Sequence, residues 1–146
     1  SLGSWTDFVG DEYKSFSGTA VYTTTINKVP VADVINLDLG SVAENASVYL
    51  NGDYIGTVID SPYQLYIPAE KFKGQDELVV RVANSMANRI AYMDKKGVDW
   101  KIFYNVNMSA RKKENVKNGI FDASDWEPKS SGLLGPVTLT PAMVKQ

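Results

Sequence analysis

Alternation of apolar and polar positions runs through most of the chain, while the three-to-four spacing of an amphipathic helix is hard to find. From Phe16 to Ile26 the run FSGTAVYTTTI puts Phe16, Ala20, Tyr22, Thr24 and Ile26 on one face, with Val21 and three threonines opposite. Successive strand side chains point to opposite faces, and the β-branched run Thr23 to Ile26 suits extended backbone. This predicts a long strand. Val34 to Leu39 (VINLDL) predicts another, closed by Gly40-Ser41. In the stretch VYLNGDYIG, Asn51-Gly52 predicts a type I′ hairpin turn, with Ala46, Val48 and Leu50 on the core face of one arm and Tyr54 to Ile59 as the return. Ser61-Pro62 breaks the chain before Tyr63, Leu65 and Ile67, which alternate with polar partners. Leu78, Val80 and Val82, interleaved with Val79, Arg81 and Ala83, give the cleanest buried strand. Leu133 to Leu139 reads as the last strand, set among Gly132, Gly135-Pro136 and Pro141. About seven to nine short strands, without helix-strand alternation, predict an all-β antiparallel sandwich forming one domain over residues 1–146.

The segment from Asn84 to Ser131 breaks that rhythm. It holds two of the three tryptophans and a basic cluster, Arg111-Lys112-Lys113, between aromatic stretches. Structureless connections this long are uncommon in compact domains unless functional or disordered. Disorder fits poorly here, because Trp100, Ile102, Phe103, Tyr104, Phe121 and Trp126 offer much apolar area to bury.

Composition then narrows the chemistry. Fifteen basic and seventeen acidic residues give a net charge of -2, and no basic patch is dense enough to neutralise a row of phosphates, so nucleic acid is not an expected partner. No apolar run is long enough to insert in a membrane as a helix. The chain has neither cysteine nor histidine. Disulfides, thiolate nucleophiles, Ser-His-Asp machinery and the usual zinc ligands are therefore excluded.

The ordered set of motifs SGTAVYTTTI, LDLGSVAENASVYLNGDYIG, SPYQLYI, ELVVRVANSMANRI and SGLLGPVTLTP, preceded by Trp5 and Phe8, resembles the galactose-binding-domain-like β-sandwich of large glycoside hydrolases. The likeness is to the sugar-binding module of glycoside hydrolase family two and to the terminal module of bacterial α-L-rhamnosidase-type enzymes. It implies a jelly-roll fold without catalytic residues, in which a separate domain, often a barrel, performs hydrolysis. The module would pack on that catalytic domain or contact an oligo- or polysaccharide. It also implies a piece of a longer bacterial enzyme that is secreted, periplasmic or held at the cell surface.

Glycosidase chemistry needs two carboxylates facing each other across a sugar ring. Asp94, Asp99, Glu114, Asp122, Asp125 and Glu127 all lie in the long connection, but scattered acids are what any solvated surface shows. Sugar rings present C–H faces that stack on aromatic planes, with polar side chains placed around them to bond hydroxyls. Trp100, Tyr104 and Trp126 are the candidate platform, and Asn88, Arg89, Asp99 and Arg111 the candidate hydrogen-bonding groups. The competing expectation is that these aromatics plug one end of the sandwich. No cofactor is expected. A structural calcium ion is compatible with the oxygen-rich loops, although no EF-hand-like run is present. The alternative function is a protein-interaction or scaffold sandwich with no sugar ligand.

Overall fold

In the computed structural model, which describes residues 2–101 and 112–142, the alternating segments become eleven strands, labelled β1 to β11, and two helices. The chain divides into two compact units. The first comprises Ser1–Trp5, Gly18–Asn84 and Ser130–Gln146, and the second Thr6–Ser17 and Ser85–Lys129.

The first unit is the antiparallel β-sandwich. One sheet has the order β1 (Thr19–Ile26), β7 (Asp76–Ala83), β4 (Asn45–Leu50), β5 (Asp53–Val58). A second has the order β11 (Thr138–Pro141), β2 (Val34–Asp38), β6 (Gln64–Pro68), and a short pair joins β10 (Gly132–Gly135) to β3 (Ser41–Ala43). The core lies where the period-two pattern placed it. Ala46, Val48 and Leu50 of β4, Leu78, Val80 and Val82 of β7, and Leu37 and Ile67 of the facing sheet form one buried cluster with Leu39. Asn51 and Gly52 take φ values of 53° and 86°, the left-handed pair that a type I′ turn needs, and Leu50 faces Asp53 across it. Beyond the turn Val48 pairs with Gly56 and Tyr49 with Tyr54, so Ile55 is an extra residue and β5 is bulged there.

Two expectations change. The final strand expected over Leu133 to Leu139 is two strands, β10 and β11, which pair with different partners. Gly135 sits at φ 71° and Pro136 has no N–H to give, so the ladder cannot run through them. The first strand starts at Thr19 rather than Phe16. Phe16 is exposed in the other unit, and Thr24, expected on the inner face with Tyr22 and Ile26, is exposed as well.

The second unit contains the helices. α1 (Asp11–Lys14) is a single turn and α2 (Ala87–Lys95) spans nine residues. The buried face of α2 carries Asn88 and Ala91, so it has no run of large apolar residues to advertise it. Its end is closed by the N–H groups of Gly97 and Val98, which donate to the carbonyls of Asp94 and Met93, a Schellman arrangement. A two-residue hairpin, β8 (Val116–Lys117) and β9 (Ile120–Phe121), completes the unit. Ala91, Phe121 and Ala123 form its small core, with Ile90, Trp100 and Trp126 packed around them.

Candidate functional site

The second unit is organised by buried polar groups as much as by its small apolar core. The Asp94 side chain, 1% exposed, accepts hydrogen bonds from the Trp100 indole (2.7 Å) and the Ala123 N–H (2.8 Å), and it pairs with the Lys101 ammonium at 2.7 Å. Asn88 donates to the Lys129 carbonyl and accepts from the Lys129 N–H, both at 2.8 Å, which ties the segment before residue 130 to α2. Trp126 donates its indole N–H to the Asn115 side chain at 2.9 Å and meets Phe121 edge-on, with ring centroids 5.8 Å apart.

On this frame lies an open groove of about 720 Å³. Its walls are α1, with Asp11 and Lys14, the face of α2 bearing Asn88, Tyr92 and Lys95, the capping residue Lys96 that follows it, and the segment Ser124 to Pro128. Tyr92 and Trp126 supply aromatic surface. Lys96 sits 5.6 Å from the Tyr92 ring centre and 3.7 Å from Asp11, so much of its charge is answered locally. Lys14 and Lys95 are exposed and, among the described residues, make no ion pair, which leaves their ammonium groups as free donors at the rim. An open groove with two aromatic rings and exposed donors can cover one face of a sugar and bond its hydroxyls.

Of the residues picked from the sequence, Asn88 and Trp126 meet at this groove. Trp100 packs on the small core and bonds Asp94, while Arg89 is exposed with its guanidinium 5.9 Å from the Tyr92 ring centre. Asp99 is exposed; Arg89, Asp99 and Trp100 are not among the groove's lining residues. Tyr104 and Arg111 lie outside the described residues. Sequence reasoning missed Lys14, Tyr92 and Lys95. The last two stand three apart on α2 and would have been found had the helix been recognised; Lys14 arrives from a distant part of the chain and leaves no local signal.

The acids nearby serve as structural partners. Lys117 bonds Asp125 at 3.0 Å, lies 3.5 Å from Asp122, and donates to Ser124 at 2.7 Å. The bond to Asp125, with the charge of Asp122, lifts the Lys117 ammonium above its ordinary value despite some desolvation. The Ser124 hydroxyl, then its N–H and Lys117, hold the Asp122 carboxyl below the usual range against the effect of burial. A glycosidase acid needs a carboxyl displaced the other way. Among the described residues no group of three or more Asp, Glu, His or Cys side chains is placed to hold a metal ion.

No family model matches the chain. A protein from Formosa agariphila named as a putative β-glucuronidase is 34% identical over 153 residues, a match that takes in 94% of this chain and 13% of that protein. The solved rhamnosidase from Novosphingobium sp. PP1Y superposes with a TM-score of 0.73 at 29% identity, over 94% of this chain and 12% of that one. In both cases the chain spans roughly an eighth of a much longer molecule. In its antiparallel sandwich and its motif order, the chain is thus similar to a small segment of each of these two much larger proteins, a β-glucuronidase-like one and a rhamnosidase.

Proposed function

We propose that residues 1–146 act as one non-catalytic module of a bacterial glycoside hydrolase that is secreted, periplasmic or at the cell surface, and that the groove beside α2 contacts carbohydrate. The observation that carries the module reading is coverage: 94% of this chain, including both units, corresponds to about an eighth of each relative. Hydrolysis then belongs to the remainder of the parent chain. In the sugar-contacting role, Tyr92 and Trp126 offer apolar surface while Lys14 and Lys95 donate to hydroxyl or carboxylate oxygens of a saccharide.

Isothermal titration of the chain against a panel of neutral and acidic oligosaccharides tests this. Binding is expected to weaken by roughly tenfold, the effect of losing about 1.4 kcal/mol, in a Lys14→Ala, Lys95→Ala variant of unchanged melting temperature. Heat from no sugar in the panel would refute the binding role. A second reading, a scaffold that braces the catalytic domain or holds another protein, is favoured by one observation: Asn88, Trp100 and Trp126 all have polar atoms bonded within their own unit.

A further inference from the structure

The sandwich has an unguarded sheet edge. β1 pairs with β7 over eight consecutive positions without a shift, and no other described strand pairs with its outer side. On one side of β7 the Asn84 N–H donates to the Gly18 carbonyl, and on the other the Asn51 N–H donates to the Glu77 carbonyl. Backbone groups of successive strand residues point to opposite edges, so the even-numbered residues of β7 face β1. Thr19, Val21, Thr23 and Thr25 therefore turn their N–H and C=O groups away from the sheet. Natural edges are blunted by charge, proline, bulges or brevity. β5 has Asp53 and a bulge at Ile55, β6 ends at Pro68, and β11 is four residues long and ends at Pro141. β1, TAVYTTTI, has none of these devices.

Beside that edge opens a groove of about 560 Å³, lined by Tyr22, Ile26, Leu78, Val80, Leu133 and Leu139 among others, with no charged side chain among the described residues of its walls. Leu78, Val80 and Leu133 are otherwise almost wholly buried, so the groove reaches the core. We infer that the β1 edge receives an extended, uncharged polypeptide segment from elsewhere in the parent hydrolase, which adds as a strand and seats alternate apolar side chains in this groove. This rests on the module reading above. A line of free backbone groups next to apolar space matches a strand, and strand addition draws its affinity from those main-chain bonds and its specificity from pockets for alternate side chains. The polar side chains in these walls are the hydroxyls of Tyr22 and Thr23 to Thr25, with none of the amide or charged groups that commonly bracket a saccharide among the described lining residues. A second copy offering its own β1 would present Tyr22 and Ile26, which already pack in its own core.

Hydrogen exchange of the 146-residue chain and of the intact native hydrolase provides the test. The amides of Val21, Thr23 and Thr25 are expected to exchange on the order of 100-fold more slowly in the intact enzyme. Thr23→Pro removes an outward N–H while leaving the β7 ladder whole, so it should abolish that protection yet barely move the melting temperature of the chain alone. Equal exchange in the two contexts would overturn the inference, as would protection that appears only when the chain dimerises. A native gene product no longer than this chain would instead overturn the module reading beneath it.

Discussion

Replacing Asp76 with alanine removes a carboxylate, 1% exposed, that ties the tip of the β4–β5 hairpin to the turn leading into β7. Its oxygens accept from the Asn51 side chain at 2.6 Å, from the Lys73 N–H at 2.8 and 3.1 Å, and from the Gly74 N–H at 3.1 Å. Hydrogen bonds to an ionised group contribute about 1.5–3 kcal/mol each, but they are not additive, and the exposed Lys73 and Gly74 regain water when the acceptor goes. The Asn51 amide is the group left poorly satisfied. We expect a loss of about 3 kcal/mol, read as a fall of roughly 10 °C in the melting temperature followed by circular dichroism. Asp76→Asn should cost less, about 2 kcal/mol, because it keeps the shape and loses the charge. The two can be separated by pH. Burial works to raise the Asp76 carboxyl, but the bonds from Asn51, Lys73 and Gly74 and the charge of Lys73 outweigh it and hold it below its ordinary value. A carboxyl depressed in the folded state gives stability that is complete above its unfolded pKa of about 3.9 and is lost as pH falls through the folded value. The gap between wild type and Asp76→Asn should thus be constant near neutrality and narrow below about pH 4. A gap that stays the same into that acid range, or an alanine variant within about 0.5 kcal/mol of wild type, would refute the assignment.

Gly52→Val should lower stability by about 1–2 kcal/mol from backbone conformation alone, since φ is 86° and an added Cβ would meet nothing within 4 Å. Urea melts report the loss, and any saccharide affinity of the folded fraction should be unchanged; reduced affinity without reduced stability would contradict a purely structural turn. Asp94→Ala should destabilise the second unit by about 3 kcal/mol, because it strands the Lys101 ammonium and the Trp100 indole at once. Trp100 and Trp126 report on that unit, so an unshifted tryptophan fluorescence transition would count against the hub role.

The strand faces were legible because a strand's period of two is a local property. Val48 and Val80 could be assigned to the core from their immediate neighbours alone, and Asn51-Gly52 announced its turn by its own dihedral tolerance. The same dipeptide at Asn118-Gly119, with φ values of 53° and 79°, turns β8 into β9, yet its two-residue arms are too short to show alternation. α2 escaped notice because tertiary bonds fix its buried face: Asn88 is buried by clasping Lys129, a partner 41 residues away. Leu133 to Leu139 looked like one strand because pattern registers apolar spacing and not the register break at Gly135-Pro136.

The candidate site divides in the same way. Asn88 and Trp126 stood out by residue type, whereas Lys14 entered the groove only through folding, and the indoles proved to be partly engaged in holding their unit together. By itself the sequence determined the all-β class, the inward faces of β4 and β7, the hairpin and, through motif order, the resemblance to part of a large glycoside hydrolase. Those features follow from local periodicity and backbone preference. Tertiary structure alone decided which strand was left as an open edge, which acids became partners of lysines and which lysines stayed free, because pairing and burial depend on neighbours brought together from distant parts of the chain.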